Sequence, residues 1–217
     1  MKLTIDRAVF LKALSHGQSV VERRTTIPIL SHVLLQTTDA GLSLSTTDMD
    51  LALQERIPAE IHEPGAITVS AHMLFDIVRK LPDGLAIDLS LHPENGQLTL
   101  KAGRSKFNLS SLPMDQFPQL TQGELPHEFQ LETTTLKRLI DRAKFAMSSE
   151  DTRYYLNGIY LHAHGAGTNK ILRSVATDAH RLACIEAVIP AGAEEIPGII
   201  VGRKTVTEVR KLLDENE

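Results

Sequence analysis

The feature that most constrains this 217-residue chain is an internal repeat. Four segments share one pattern, a short alternating strand running directly into a small capped helix. They are L-T-I-D before Arg7 to Gly17, I-T-V-S before Ala71 to Leu81, F-Q-L-E-T before Thr134 to Ala146, and I-I-V-G before Arg203 to Leu213. They recur roughly every 60 to 70 residues, which restricts the fold to copies of one supersecondary unit packed together. Asp6, Ser70 and Thr133 stand where an N-cap belongs, and Gly17 and Pro82 where a helix stops. The helix windows carry apolar stripes at helical spacing, such as Leu74, Ile77, Val78 and Leu81, or Leu136, Leu139, Ile140 and Ala143. Period-two runs such as S-H-V-L-L-Q-T, L-S-L-S-T-T, L-A-I-D-L-S-L and Q-L-T-L-K-A fill the intervals as strands.

A longer period overlies the short one. L-S-H-V-L-L at Leu30 to Leu35 matches L-N-G-I-Y-L at Leu156 to Leu161, and S-T-T-D-M-D at Ser45 to Asp50 matches V-A-T-D-A-H at Val175 to His180. Two homologous domains follow, with the boundary in the Pro, Gly and polar cluster of Gln116 to His127. The expected division is 1–120, a linker at 121–127, and 128–217. Each domain is expected to be α+β, antiparallel sheet with paired helices on one face. The last unit lacks the strands that follow the other three helices, which reads as a domain incomplete at its C-terminus.

Composition narrows the class. An apolar share of 42% with 23% charge is that of a folded globular protein. No run approaches the roughly 18 apolar residues a membrane span needs, and Met1 opens onto the strand-like K-L-T-I, so a cytoplasmic protein is expected. Cys184, the single cysteine, sits in L-A-C-I and reads as buried filler.

Charge separates by element. The four helix windows hold twelve Lys and Arg against three acids, Asp76, Asp141 and Glu208, in a chain whose formal net charge is −4. If the helices line a common surface, that surface attracts a polyanion through phosphate contacts that ignore base sequence. The competing reading is that Lys and Arg simply suit solvated helix faces. No zinc-finger, helix-turn-helix or aromatic RNA-binding signature is present to read bases.

S-V-A-T-D-A-H-R-L-A, Ser174 to Ala183, places Ser, Asp and His close together. A hydrolase built on Ser174, Asp178 and His180 is one reading, but no G-x-S-x-G announces a nucleophile. Thr47-Asp48 matches Thr177-Asp178, which favours a turn common to both copies, with side chains bonding nearby backbone. A shallow pocket follows, with Leu156 and Leu182 as its apolar wall and His180 and Arg181 as its polar rim. His162 and His164 share one side of a strand, and two such ligands without a third are poor evidence for a metal. Tyr154 and Tyr155 are either core or a surface pair beside Arg153 that touches nucleic acid.

With R-Y-Y-L-N-G, V-A-T-D-A-H-R-L-A, I-V-G-R-K, R-R-T-T-I-P-I-L and G-R-S-K-F-N-L-S-S-L-P, the whole chain resembles the bacterial sliding-clamp family, the β subunits of DNA polymerase III. The resemblance implies repeated DNA-clamp domains, sheets outside and paired helices inside, closed head-to-tail by two subunits into a ring, with the third domain absent here. It implies no catalysis, no cofactor and no metal, but tethering of the polymerase on duplex DNA of any sequence. It places DNA contacts on Arg24, Arg153, Tyr154, Tyr155, Arg203 and Lys204. The cleft for tails of the polymerase III alpha subunit, the clamp loader and other clamp-binding polymerases or repair proteins falls on Leu156, Thr177, Ala179, His180, Arg181 and Leu182. The subunit edge falls on Arg104, Lys106, Phe107 and Leu109. The family pattern commonly has Gly where this chain has Ala179, which narrows the cleft, and often has basic residues at His72 and Met73. A clamp-fold homologue with another partner, and the hydrolase around Asp178 and His180, stay as alternatives.

Overall fold

The computed structural model describes residues 1–92, 94, 96–119, 125–167 and 169–215. The chain divides into two compact units, Met1–Leu120 and Thr121–Glu217. Most of the expected linker, 121–124, lies outside the described residues.

In the first unit β1 (Lys2–Asp6) runs into α1 (Arg7–Val20), followed by β2 (His32–Thr38), β3 (Gly41–Thr47), β4 (Ala52–Ile57) and β5 (Glu60–Glu63). The pattern then repeats: β6 (Ala66–Ser70) runs into α2 (Ala71–Lys80), followed by β7 (Ala86–His92), β8 (Gln97–Ala102), β9 (Ser105–Leu109) and the short β10 (Ser111–Leu112). Two five-stranded sheets form, in the orders β5-β1-β7-β8-β9 and β10-β6-β2-β3-β4. The two repeats exchange their leading strands. β1 pairs antiparallel with β7, Asp6 opposite Ala86, and β6 pairs antiparallel with β2, Ser70 opposite His32. Neither repeat closes a sheet alone, so both collapse into one core holding Leu3, Phe10, Leu14, Leu35, Leu44, Leu74, Val78, Leu89 and Leu100. Each such fully buried large side chain contributes about 1.5–3 kcal/mol of transfer free energy.

The capping residues act as expected at both helix starts. Asp6 accepts from Ala8 N and Val9 N, and Ser70 Oγ from Met73 N. Leu81 follows the last residue of α2, next to Pro82. Gly17 does not end α1, which continues to Val20. A Cβ at Gly17 would lie 3.2 Å from Thr46 Cγ2, so this glycine lets the helix approach β3 closely.

In the second unit α3 (Thr133–Asp141) is followed by 3-10 turns at Lys144–Ala146 and Asp151–Leu156, then β11 (Gly158–His164), β12 (Ile171–Thr177), β13 (Leu182–Val188), β14 (Ile199–Gly202) and α4 (Arg203–Asp214). The sheet runs β13-β12-β11-β14, all antiparallel. β14 stands to β11 as β6 stands to β2. The run F-Q-L-E-T, expected as the counterpart of β1, is irregular through Glu132, and Thr133 is the first helical residue rather than the cap. Among the described residues the sheet of this unit holds β11 to β14 alone, and this run pairs with none of them. The expected helix to Ala146 likewise gives way after Asp141 to a tighter turn, Ala146 N bonding Ala143 O.

This core is smaller and alanine-rich, built on Ile140, Ala143, Ala146, Ile159, Ala176 and Val206. Cys184 is exposed, contrary to the expectation of a buried filler, because β13 alternates: Ala183 and Ala187 are buried and Cys184 points the other way. Among the described residues no helix is long and apolar enough to cross a membrane.

Candidate nucleic-acid and peptide interface

The Thr-Asp turns of the two units match bond for bond. Thr47 Oγ1 donates to Leu51 O and accepts from Met49 N; Thr177 Oγ1 donates to Arg181 O and accepts from Ala179 N. Asp48 Oδ1 accepts from Asp50 N and Leu51 N, as Asp178 Oδ1 accepts from His180 N and Arg181 N. The third residue of each turn, Met49 or Ala179, has a left-handed backbone, with φ of 82° and 76°. Glycine at Ala179 would therefore relieve strain.

The same bonds dismantle the catalytic reading. Both Asp178 oxygens serve its own turn, Oδ2 accepting from Arg181 Nε at 2.9 Å. The backbone N–H of His180, then that of Arg181 and its guanidinium, hold the Asp178 carboxyl below the usual carboxylate range. Ser174 is buried and donates to Leu139 O at 3.0 Å. These groups form no relay.

The turn presents a patch at one end of the sheet. β12 ends at Thr177, β13 starts at Leu182 opposite it, and β11 starts at Gly158, just after Leu156. Leu182 is 65% exposed, His180 and Arg181 are exposed, and Leu156 is half-buried. Phe145, absent from the sequence reading, joins this patch: it is 55% exposed, with the Arg181 guanidinium 5.5 Å from its ring centre. A signal for it exists, since Phe145 lies off the stripe of Leu139, Ile140 and Ala143 and so must face outward.

The candidate DNA contacts divide. Arg24 is exposed in the irregular segment after α1. Tyr154 and Tyr155 are 78% and 55% exposed and meet edge to face at 5.6 Å, which excludes the core reading. Arg153 beside them pairs with Glu150 at 3.0 Å. Lys204 is half-buried in the first turn of α4. Arg203 turns inward, donating from Nε to Asn157 Oδ1 at 2.7 Å and from Nη2 to the carbonyls of Met147 and Ser148.

Pairing tempers the helix charge. Arg7 is buried and donates to Val78 O and Arg79 O at the end of α2. Arg210 on α4 bonds both Asp141 oxygens at 3.0 Å and also pairs with Asp214, while Lys144 pairs with Asp141 and Lys137 with Asp214. The Arg210 hydrogen bond, aided by Lys144, holds the Asp141 carboxyl below its ordinary range.

The first unit offers an edge. Among the described residues β9 pairs only with β8, and Arg104, Lys106 and Phe107 are exposed there. Phe107 lines a groove of about 470 Å³ with Met73, Ile77 and Leu81 of the α2 region. Leu109 is 4% exposed and supports this edge from the core rather than presenting surface. His72 bonds Gln18 Oε1 and Val21 O, tying α2 to α1. His162 stacks on Tyr160 at 4.5 Å, and among the described residues no three metal-ligating side chains gather.

Comparison with known proteins fits this arrangement. Residues 1–121 match the family model of the DNA polymerase III beta subunit, N-terminal domain, and residues 130–217 that of its central domain. The beta sliding clamp of Caulobacter vibrioides (strain NA1000 / CB15N) is 51% identical over 214 residues, covering 99% of this chain and 58% of that protein. The beta sliding clamp of Escherichia coli K12 is 42% identical, covering 99% and 57%. A crystal structure of the Caulobacter crescentus beta sliding clamp superposes with a TM-score of 0.93 at 50% identity, over 99% of this chain and 57% of that one. A sliding clamp from Bartonella birtlesii bound to griselimycin gives 0.94 at 45% identity, with coverage of 99% and 57%. The chain thus spans a little over half the length of these relatives. Matched in both of its units and along nearly its whole length, it belongs to the DNA polymerase III beta subunit family.

Proposed function

We propose that the protein containing this chain is a DNA sliding clamp, a homodimeric ring that encircles duplex DNA in the cytoplasm and tethers the replicative polymerase. The observation that carries this reading is the match of both units, end to end, to relatives that are themselves beta sliding clamps. Exposed Arg24 and the Tyr154–Tyr155 pair support weak, sequence-independent contact with DNA. The open β9 edge, with Lys106 and Phe107 beside an apolar groove, supports closure by a second subunit. A ring needs only weak phosphate contacts, because escape requires opening an interface; the tethered polymerase then works at high effective concentration. No bond-making step belongs to this chain in this reading.

The patch of Leu156, Leu182, His180 and Arg181 suits an extended peptide with a few apolar anchors, such as the tail of a polymerase alpha subunit or clamp loader. Titrating the full-length protein with such a peptide tests this. Loss of binding in the His180→Ala/Leu182→Ala variant with folding intact is the expected result, and unaltered affinity would refute the assignment.

A further inference from the structure

Arg203 was expected to touch DNA, yet its side chain serves the protein. It is the first residue of α4, and its main-chain N–H donates to Asn157 O at 2.9 Å. Its Nε donates to Asn157 Oδ1, and Nη2 to Met147 O and Ser148 O. Those acceptors sit at both feet of one strap. Ser148 N closes the strap by donating to Leu156 O at 3.0 Å, and Asn157 N donates to Tyr154 O at 3.1 Å. Between the feet the strap presents Arg153, Tyr154 and Tyr155, and Leu156 at its base adjoins the peptide patch.

The first unit contains the same device without the cargo. Arg7 is the first residue of α1, its N–H donates to Leu85 O at 3.0 Å, and its guanidinium holds Val78 O and Arg79 O and also pairs with the Asp83 carboxylate in the turn. There the clasp closes the short turn from α2 to β7. In the second unit it closes the longer passage from α3 to β11, which carries the exposed tyrosines. The repeat therefore accounts for the arginine as a structural clasp, with no need of a phosphate.

We infer that Arg203 is a positioning residue: by clasping both ends of the strap from Met147 to Asn157 it sets, together, the DNA-contacting tyrosines and the Leu156 wall of the peptide cleft. This rests on the sliding-clamp reading and assigns Arg203 a different role within it. A guanidinium fork can reach three acceptors at once, and a lysine ammonium at the same place cannot hold that geometry. A phosphate contact, by contrast, survives replacement of Arg by Lys, because the charge is what the phosphate feels.

The test uses the full-length protein, a short mixed-sequence DNA duplex titrated over a range of salt, and a synthetic polymerase-tail peptide. Arg203→Lys is expected to weaken both ligands on the order of tenfold, as Arg203→Ala does, with the slope of log K against log salt unchanged. Asn157→Ala, which removes one acceptor and leaves every charge in place, is expected to weaken both to a lesser degree. Amide exchange at Ser148 and Asn157, whose N–H groups close the strap, reports it directly, and both variants should speed it. Wild-type DNA affinity in Arg203→Lys, with a slope shallower by about one in Arg203→Ala, would make Arg203 a phosphate contact and overturn the inference. Peptide affinity untouched in every variant would overturn it as well. If the Arg203 variants do not fold, judged by amide protection of β11 to β13, Asn157→Ala decides. A wild-type protein that binds neither ligand would overturn the clamp reading itself, and the inference with it.

Discussion

Met49 and Ala179 occupy the same place in two copies of one turn, and both hold a left-handed backbone, with φ of 82° and 76°. For an L-residue this costs about 1–2 kcal/mol, while glycine loses about 0.5–1 kcal/mol more conformational freedom on folding. The first effect wins. Ala179→Gly and Met49→Gly should each stabilise by about 0.5–1 kcal/mol in denaturant unfolding. A destabilised Ala179→Gly would mean the turn does not hold the residue there.

Gly17 sits in the middle of α1, where alanine would ordinarily gain about 1 kcal/mol of helix propensity. Its Cβ would meet Thr46 Cγ2 at 3.2 Å, inside a packed core where overpacking costs about 1–3 kcal/mol. Gly17→Ala should thus destabilise by about 1 kcal/mol net, and Thr46→Ser, which removes that methyl, should convert the change into a gain. Additive effects in the four-member cycle, measured by thermal unfolding, would refute the contact as the cause.

His32, the first residue of β2, is partly buried, and its Nδ1 has no partner among the described residues. Burial pushes its pKa below the ordinary 6.5, partly offset by a hydrogen bond to the Thr68 backbone. The unfolded chain then takes up a proton near pH 6.5 and the folded chain only at lower pH. Stability should be complete above that value and fall as the pH drops below it. His162, lowered chiefly by burial and then by Arg173, acts in the same direction. His32→Gln should flatten the fall in melting temperature between neutral and mildly acid pH, and an unchanged profile would remove His32 as a cause.

Phe145 is exposed, with the Arg181 guanidinium over its ring. If it forms part of the peptide patch, Phe145→Ala should weaken the tail peptide about tenfold and leave stability within about 0.5 kcal/mol. Isothermal titration and thermal unfolding on one preparation separate the two, and unchanged peptide affinity would exclude Phe145 from the site.

Local signals were legible in the sequence where the physics is local. The caps Asp6 and Ser70 are legible because an N-cap answers to N–H groups two and three residues on. The shared Thr-Asp turn was visible for the same reason. The exchange of β1 and β6 was not, since partners such as Asp6 and Ala86 lie far apart in sequence and alternation does not name a neighbour. Phe129 to Thr133 alternates in sequence as a strand should, yet among the described residues it joins no sheet, and alternation does not supply a partner. Arg7 and Arg203 escaped because counting charge by element treats every cation as surface, while a guanidinium can spend its donors on carbonyls inside.

The measurement that bears most directly on the central claim is retention of the full-length protein on DNA of one sequence in two topologies. After loading onto a nicked circle and removal of free protein, the account predicts that the protein stays on the circle and is lost as soon as one cut makes it linear, even at salt that abolishes simple phosphate binding. Equal loss from circle and line would show that contacts, and not encirclement, hold the protein, and would contradict the account.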